Sequence, residues 1–109
     1  MKIRRGDVVY LHRTVNCPNP IRPFVIVSNN VGNKHAEICL GVPLTLKPRR
    51  GQPTHCRISY NDSIAMTEQI CVINKDDIEK VLFRVSDEDM RMIDECLAIS
   101  LDLGCDESV

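Results

Sequence analysis

The first 85 residues alternate between short apolar runs and clusters of proline, glycine, asparagine and aspartate. Apolar and β-branched runs bounded by such breakers are typical of β-strands. The run "PFVIVSN" at 23–29 is almost continuously apolar before its last two residues, which predicts a strand buried on both faces. The pattern predicts strands at 7–12, 23–29, 37–45, 54–60, 63–73 and 81–85, with turns or loops at 31–34, 46–53 and 61–62.

The periodicity changes at Ser86. Apolar residues recur at 90, 93, 97 and 101, the spacing of one helix face. Ser86 is an N-cap candidate, and three acidic residues follow it, where the helix dipole favours negative charge. Gly104 is placed to follow the last helical turn. A shorter helical turn is predicted after Asn74, which two aspartates follow closely.

These elements predict a mainly β fold: a small, strongly curved sheet or barrel of five to six short strands with a C-terminal amphipathic α-helix. A chain of 109 residues predicts a single domain spanning 1–109. No apolar run approaches the roughly 20 residues of a membrane helix. No apolar stretch follows the basic N-terminus, so neither a signal peptide nor a membrane partner is expected.

The net charge of −1 conceals a division between the two halves of the chain. Residues 1–57 hold ten Lys and Arg against two acidic residues, a balance of +8. Residues 58–109 hold four against thirteen, a balance of −9. The basic half is consistent with a polyanionic partner such as a phosphate backbone, although two solvated faces would give the same count.

The six cysteines do not have the spacing of a disulfide framework or a zinc site. They stand at 17, 39, 56, 71, 96 and 105, with no C-x-x-C pair and with wide, irregular gaps. Several lie inside apolar runs, where a free thiol behaves as a small hydrophobic side chain. The pattern indicates a reduced, cytoplasmic protein, and it predicts no metal and no cofactor.

The motifs of common hydrolases are missing from the sequence. No G-x-S-x-G, P-loop or H-E-x-x-H occurs, and the three histidines at 12, 35 and 55 are scattered. Two of these histidines could still meet in the fold and cleave RNA by acid–base catalysis, because histidine titrates near neutral pH. That possibility stays open at this point.

Arg22 and Thr45 form a second candidate site. Arg22 lies between Pro20 and Pro23 at the head of the apolar strand, and Thr45 ends the next long one, "GVPLT". If these strands pair antiparallel, both residues share one rim of the sheet. A guanidinium with a hydroxyl can bind a phosphate, since arginine offers a planar bidentate fork. RNA supplies its own 2′-OH nucleophile, so alignment and charge stabilisation would suffice for cleavage.

Six segments, in order, resemble the MazF/PemK family of toxins from bacterial type II toxin–antitoxin systems. They are "RRGDVVY" (4–10), "IRPFVIVSNNVGN" (21–33), "VPLT" (42–45), "PTHCRIS" (53–59), "DSIAMTEQI" (62–70) and "VSDEDMRMIDECLAISLDL" (85–103). The resemblance covers nearly the whole chain. The combination of segments is far more specific than any one of them.

The resemblance implies an SH3-like barrel, a homodimer, and a metal-independent, sequence-specific endoribonuclease in the cytoplasm. Such an enzyme cuts single-stranded mRNA by 2′-OH attack and leaves 2′,3′-cyclic phosphate and 5′-OH ends. The implied partner is a cognate antitoxin with an acidic, disordered tail. The family's catalytic arginine and threonine match Arg22 and Thr45. The positions matched to RNA contacts are Arg5, Ser28, Glu68 and Gln69.

Two segments depart from the family pattern. The loop at 13–20, "RTVNCPNP", is shorter than usual and lacks the typical glycines, and Cys71 stands where arginine often follows "EQI". The RNA sequence preference is therefore not implied. An alternative function also remains: a non-catalytic binding module on the same barrel, either RNA-binding or acting by poisoning DNA gyrase. The Arg22–Thr45 pair favours the nuclease, because a gyrase binder needs neither residue.

Overall fold

A computed structural model describes residues 2–12, 23–46 and 51–104 of the chain. Their apolar runs form seven strands, more than the five to six predicted. The strands are β1 (Asp7–Leu11), β2 (Pro23–Ile26), β3 (Ile38–Thr45), β4 (His55–Arg57), β5 (Ile64–Met66), β6 (Cys71–Asn74) and β7 (Ile78–Arg84). The helices are α1 (Asn30–His35), α2 (Asp87–Leu101) and a 3-10 turn at Lys75–Asp77.

The strands form one antiparallel sheet in the order β4-β5-β3-β2-β1-β7, with β6 also paired to β3. Within the described residues the sheet does not close into a barrel, because β4 and β7 do not pair. The mainly β fold with a C-terminal helix is confirmed.

Both faces of the central strands are buried, as predicted for 23–29. Val25 faces a core that α2 covers through Ile93 and Leu97. Phe24 and Ile26 face a second core on the other side of the sheet. All three β2 side chains are fully buried. Successive side chains of β2 therefore point into two different cores, which accounts for the lack of polar residues in this run.

The region predicted as one strand at 63–73 is two strands, β5 and β6, and both pair with β3. Leu44 pairs with Ala65, whereas Gly41 pairs with Cys71, so three residues along β3 correspond to six on the other side. The surplus residues lie in 67–70, which leaves the sheet between the two strands. The prediction of a continuous strand was wrong at this point.

The turn predicted at 31–34 is helix α1. Asn29 caps it by accepting a hydrogen bond from the Gly32 amide at 2.8 Å. The buried Asn33 side chain donates to the Ser28 carbonyl and to Asn30 Oδ1. Because polar caps and not an apolar stripe stabilise this helix, hydrophobic periodicity gives no sign of it.

The predicted caps of the other helical segments are mostly present. Asn74 accepts from the Asp76 amide at 3.1 Å, and Ser86 accepts from the Asp89 amide at 3.0 Å. The predicted stop at Gly104 is two residues late. Asp102 takes the left-handed conformation that ends α2, with φ 57° and ψ 44°, which aspartate tolerates better than most residues.

Candidate nucleic-acid interface

The candidate site lies on the sheet formed by β3, β5 and β4. Leu44, Ala65 and Cys56 stand side by side across these strands and face the core under α2. Since neighbouring residues of a strand point to opposite faces, Thr45 and His55 lie on the other face. Thr45 and His55 therefore share the face of the sheet that points away from the core under α2, with Thr45 in the row of Ile64 and His55 in the row of Met66.

Thr45 is the last residue of β3 and is 3% exposed. It pairs with Ile64 of β5, which in turn pairs with Arg57 of β4. The predicted partner of Thr45, Arg22, lies outside the described residues, as do residues 47–50 of the basic segment at 46–53. Because Thr45 belongs to β3 and pairs with Ile64, a strand and not a loop carries its hydroxyl.

Glu68 and Gln69 lie in the 67–70 segment, which two threonines fix in place. Thr67 is fully buried, and its amide and hydroxyl both donate to the Thr54 carbonyl, at 3.1 and 2.6 Å. The Gln69 amide closes a turn onto the Met66 carbonyl at 3.0 Å. The surplus residues therefore form a braced turn that carries the two predicted RNA contacts.

Both carboxylate oxygens of Glu68 accept hydrogen bonds. Thr54 Oγ1 donates to one at 2.8 Å, and His55 Nε2 lies 2.9 Å from the other. Partial burial raises the pKa of Glu68, but hydrogen bonds from His55, the backbone and Thr54 outweigh it, so this pKa is below its ordinary value. The side chain is an ionised acceptor at neutral pH.

Neither Thr54 nor His55 is predicted from the sequence as a partner of Glu68. His55 entered it as one of three scattered histidines, and "PTHCRIS" as part of the resemblance. In the fold, His12 Nε2 lies 3.0 Å from the Asp76 carbonyl and His35 ends α1. Among the described contacts none joins two histidines, so the paired-histidine site has no support in this geometry.

Arg5 and Ser28 lie elsewhere. Ser28 Oγ accepts from the Leu40 amide at 3.0 Å and donates to Asn33 Oδ1 at 2.5 Å. Leu40 is five residues before Thr45 on β3, which separates the two sites by about 16 Å at the rise of a strand. The 67–70 turn lies between these two positions, because its flanking residues Ala65 and Cys71 pair with Leu44 and Gly41.

The Arg5 guanidinium is already engaged. Its Nε donates to the Val27 carbonyl at 2.9 Å, and its terminal nitrogen lies 2.5 Å from Asp94 Oδ1 on α2. The side chain is still 29% exposed. An anion at this position would therefore share the guanidinium with Asp94.

Helix α2 supports the braced turn from beneath. Ser100 Oγ donates to the Thr67 carbonyl at 3.1 Å, and Cys96 Sγ lies 3.7 Å from the His55 carbonyl. Burial raises the pKa of Cys56 to about 12 and also raises the pKa of Cys96, so both thiols stay protonated at neutral pH. These thiols pack as apolar groups and are not poised as nucleophiles.

Among the described residues, no three His, Cys, Asp or Glu side chains converge on a metal-sized site. In the same part of the chain, no helix is both long and apolar enough to cross a bilayer.

Comparison with known proteins identifies the family. Residues 4–101 match the model of the PemK-like, MazF-like toxins of type II toxin–antitoxin systems. The chain belongs to this toxin family. Endoribonuclease EndoA of Bacillus subtilis is 30% identical over 113 residues, spanning 94% of this chain and 97% of that protein. The resemblance seen in the sequence is thereby confirmed.

Solved structures of the toxin family share the fold. An endoribonuclease from a mycobacterial species has a TM-score of 0.80 at 28% identity, covering 96% of each chain. A mycobacterial endoribonuclease in complex with its cognate antitoxin has a TM-score of 0.82 at 27% identity, covering 94% of this chain and 98% of that one. MazF of Deinococcus radiodurans, at 13% identity and a TM-score of 0.77, supports the fold alone.

Proposed function

We propose that this toxin is an endoribonuclease that cleaves single-stranded mRNA at short sequences without a metal ion. The observation that carries the proposal is the match over residues 4–101 to a toxin family, with relatives along the full chain that are named endoribonucleases. The position of Thr45 at the end of β3, on the same face of the sheet as His55, supports a site on this face.

Arg22 and Thr45 are the proposed catalytic residues. Phe24 pairs with Pro43, so the start of β2 lies beside the end of β3 that carries Thr45. In the sequence Arg22 directly precedes Pro23, the first residue of β2. A guanidinium within reach of this rim would stabilise the charge that develops on the phosphate oxygens.

The proposed reaction uses the RNA's own 2′-OH. Its oxygen attacks the adjacent phosphorus, and the bond to the 5′-oxygen breaks, leaving a 2′,3′-cyclic phosphate and a 5′-OH. Thr45 would hold a phosphate oxygen in line, while Arg22 offsets the charge of the pentacoordinate phosphorus and helps to protonate the departing oxygen. The 2′-OH releases one proton to solvent and the 5′-oxygen gains one, so Arg22 ends the step with its charge restored. No step requires a thiol, which agrees with the protonated state of Cys56 and Cys96.

The RNA contacts proposed from the family motif fall into two groups. Glu68 and Gln69 lie beside the middle of β3, between the residues that pair with Leu44 and Gly41, whereas Arg5 and Ser28 lie toward the start of β3. Ser28 already makes two hydrogen bonds, so its part would be to position the exit of β2. Arg5 would meet a phosphate while sharing its charge with Asp94.

A homodimer and a cognate antitoxin complete the proposal, in the cytoplasm. A relative has been solved with its antitoxin. An antitoxin with an acidic, disordered tail would be attracted to the basic half of this chain and fold on binding. Its association should weaken as salt rises.

A labelled single-stranded RNA incubated with the protein in EDTA tests the function. We expect cleavage with cyclic phosphate ends. Arg22→Ala and Thr45→Val should each lose about 10²–10³ in rate, the usual effect of removing one donor to developing charge. Arg22→Lys should not restore activity, because an ammonium lacks the planar fork, whereas Thr45→Ser should retain much of it.

The matched control for the arginine is Arg91→Ala, on the exposed face of α2, which should cleave like the wild type. Cleavage at the wild-type rate by both Arg22→Ala and Thr45→Val would refute the site. Growth inhibition without cleavage of any RNA would favour the non-catalytic binding module instead.

A further inference from the structure

His55 occupies an unusual position for a polar side chain. The imidazole is 7% exposed, yet Nε2 lies 2.9 Å from Glu68 Oε2, at the edge of the braced turn. A carboxylate accepts hydrogen bonds and cannot donate them, so Nε2 carries the hydrogen of this bond. The ring thus donates from the protein interior to a side chain at the surface.

The other ring nitrogen, Nδ1, makes no comparable hydrogen bond. In the part of the chain that the structure describes, Nδ1 is buried and has no hydrogen-bond partner. A buried polar atom without a partner is unfavourable, so an apolar side chain would fill the same space better. The bond to Glu68 is therefore the feature of this position that requires a histidine.

The consequence of that bond is a fixed carboxylate. Glu68 accepts from Thr54 on one oxygen and from His55 on the other, and its carboxylate offers about four lone-pair sites in all. The side chain remains 35% exposed. The two hydrogen bonds therefore fix the orientation of the lone-pair sites that the Glu68 carboxylate has left for another donor.

Unpaired RNA bases offer hydrogen-bond donors that suit such an acceptor. Proteins that read single-stranded RNA contact the Watson–Crick edges of splayed bases, where amino and imino N–H groups are displayed. A free glutamate would accept from many directions and discriminate poorly. A carboxylate held in one orientation accepts a good hydrogen bond only from a donor that is correctly placed.

We propose that His55 is a positioning residue that orients Glu68 to read an N–H group on the edge of an unpaired RNA base. The inference rests on the proposed function and deepens it by assigning a residue to sequence selectivity. His55 is not a catalytic residue here, since its ring is buried and Nε2 is occupied by Glu68.

The test is the ratio of cleavage rates between the preferred RNA and the same RNA with one base changed. Loss of a good base contact corresponds to about 5- to 150-fold in discrimination. We expect His55→Leu and Glu68→Ala to lose preference of this size at the same base, and the double variant to lose no more. His55→Gln should restore most of it, because its amide nitrogen can occupy the place of Nε2.

The matched control is His35→Gln, an exposed histidine at the end of α1, which should keep the wild-type preference. Unchanged preference in His55→Leu would overturn the inference. So would an equal loss of rate on every RNA, because that pattern indicates a role in chemistry or in folding.

A measurement without RNA keeps the inference testable if a variant does not fold. In the wild-type protein, NMR should show a slowly exchanging proton on His55 Nε2 that shifts or broadens in Glu68→Gln. A signal unaffected by Glu68→Gln would overturn the positioning role. A wild-type protein that cleaves no RNA but shows this coupling would instead refute the proposed nuclease function.

Discussion

Asp89 should be one of the most sensitive positions for the stability of the helix on the sheet. It lies in the first turn of α2, is 8% exposed, and accepts from both the Ser59 amide at 3.1 Å and the Ser59 hydroxyl at 2.7 Å. Hydrogen bonds to a charged group contribute about 1.5–3 kcal/mol each. Ser59 is exposed, so in the variant water can replace part of the hydrogen bonding that Asp89 provides. Asp89→Ala should therefore cost about 2–4 kcal/mol.

That cost is large against a total stability of about 5–15 kcal/mol. For 109 residues an unfolding entropy of roughly 2.1 cal/mol/K per residue converts it to a fall in Tm of about 9–17 °C. Thermal unfolding followed by circular dichroism at 222 nm, with urea titrations for the free energy, would measure it.

The matched control for Asp89→Ala is Glu88→Ala. Glu88 shares the first turn and the same interaction with the helix dipole, but its carboxylate is exposed and lies 3.9 Å from Arg91. Glu88→Ala should lower the free energy of unfolding by no more than about 1 kcal/mol. If the two variants unfold within about 2 °C of each other, the Ser59 contact does not hold the helix, and the reasoning is wrong.

Three further predictions concern the core and the site. Gly41→Ala should lose about 1–3 kcal/mol in urea titrations, because its Cβ would lie 2.6 Å from Ile73 Cδ1 and 3.2 Å from the Val25 carbonyl oxygen, while Gly51→Ala, with open space around it, should be nearly neutral. Cys39 and Cys56, whose pKa values burial raises to about 11 and about 12, should resist iodoacetamide at pH 7 by mass spectrometry until the protein unfolds; labelling at the rate of the denatured chain would contradict this. Because the pKa of Glu68 is lowered in the folded protein, the wild type should have a higher free energy of unfolding than Glu68→Gln in urea titrations above the ordinary carboxylate pKa. This difference in stability should vanish as the pH falls through the lower pKa of the folded state. A difference that is unchanged in acid would argue against it.

The part of the fold that follows from burial could be predicted from the sequence. The apolar run of β2 and the helical spacing of α2 both reflect cores that exclude water, so periodicity located them within a few residues. The cap at Ser86 is a local hydrogen bond between residues three apart, which the sequence also shows. These elements are specified by residues close together in the chain.

Features that depend on contacts between distant parts of the chain could not be predicted in the same way. The Arg5–Asp94 pair joins residues 89 positions apart, and the Ser59–Asp89 contact joins residues 30 apart. Each consists of common polar residues that are usually solvated. The family motif directed attention to Arg5 but said nothing of Asp94, because a motif records residue identities and not the partners that the fold supplies.

The error over 63–73 and the location of the candidate site have one physical cause. A continuous strand there would direct Glu68 and Gln69 along the sheet in alternation, with their side chains on opposite faces. The register change between β5 and β6 releases 67–70 from that alternation, and the Thr54 and Thr67 hydrogen bonds then hold both residues in a single turn. His55 reaches Glu68 from β4 because β4 pairs with β5 immediately before the break. A three-residue surplus in one strand is thus sufficient to convert part of an apolar sheet into a polar edge, while β3 continues unbroken beside it and ends at Thr45, opposite Ile64.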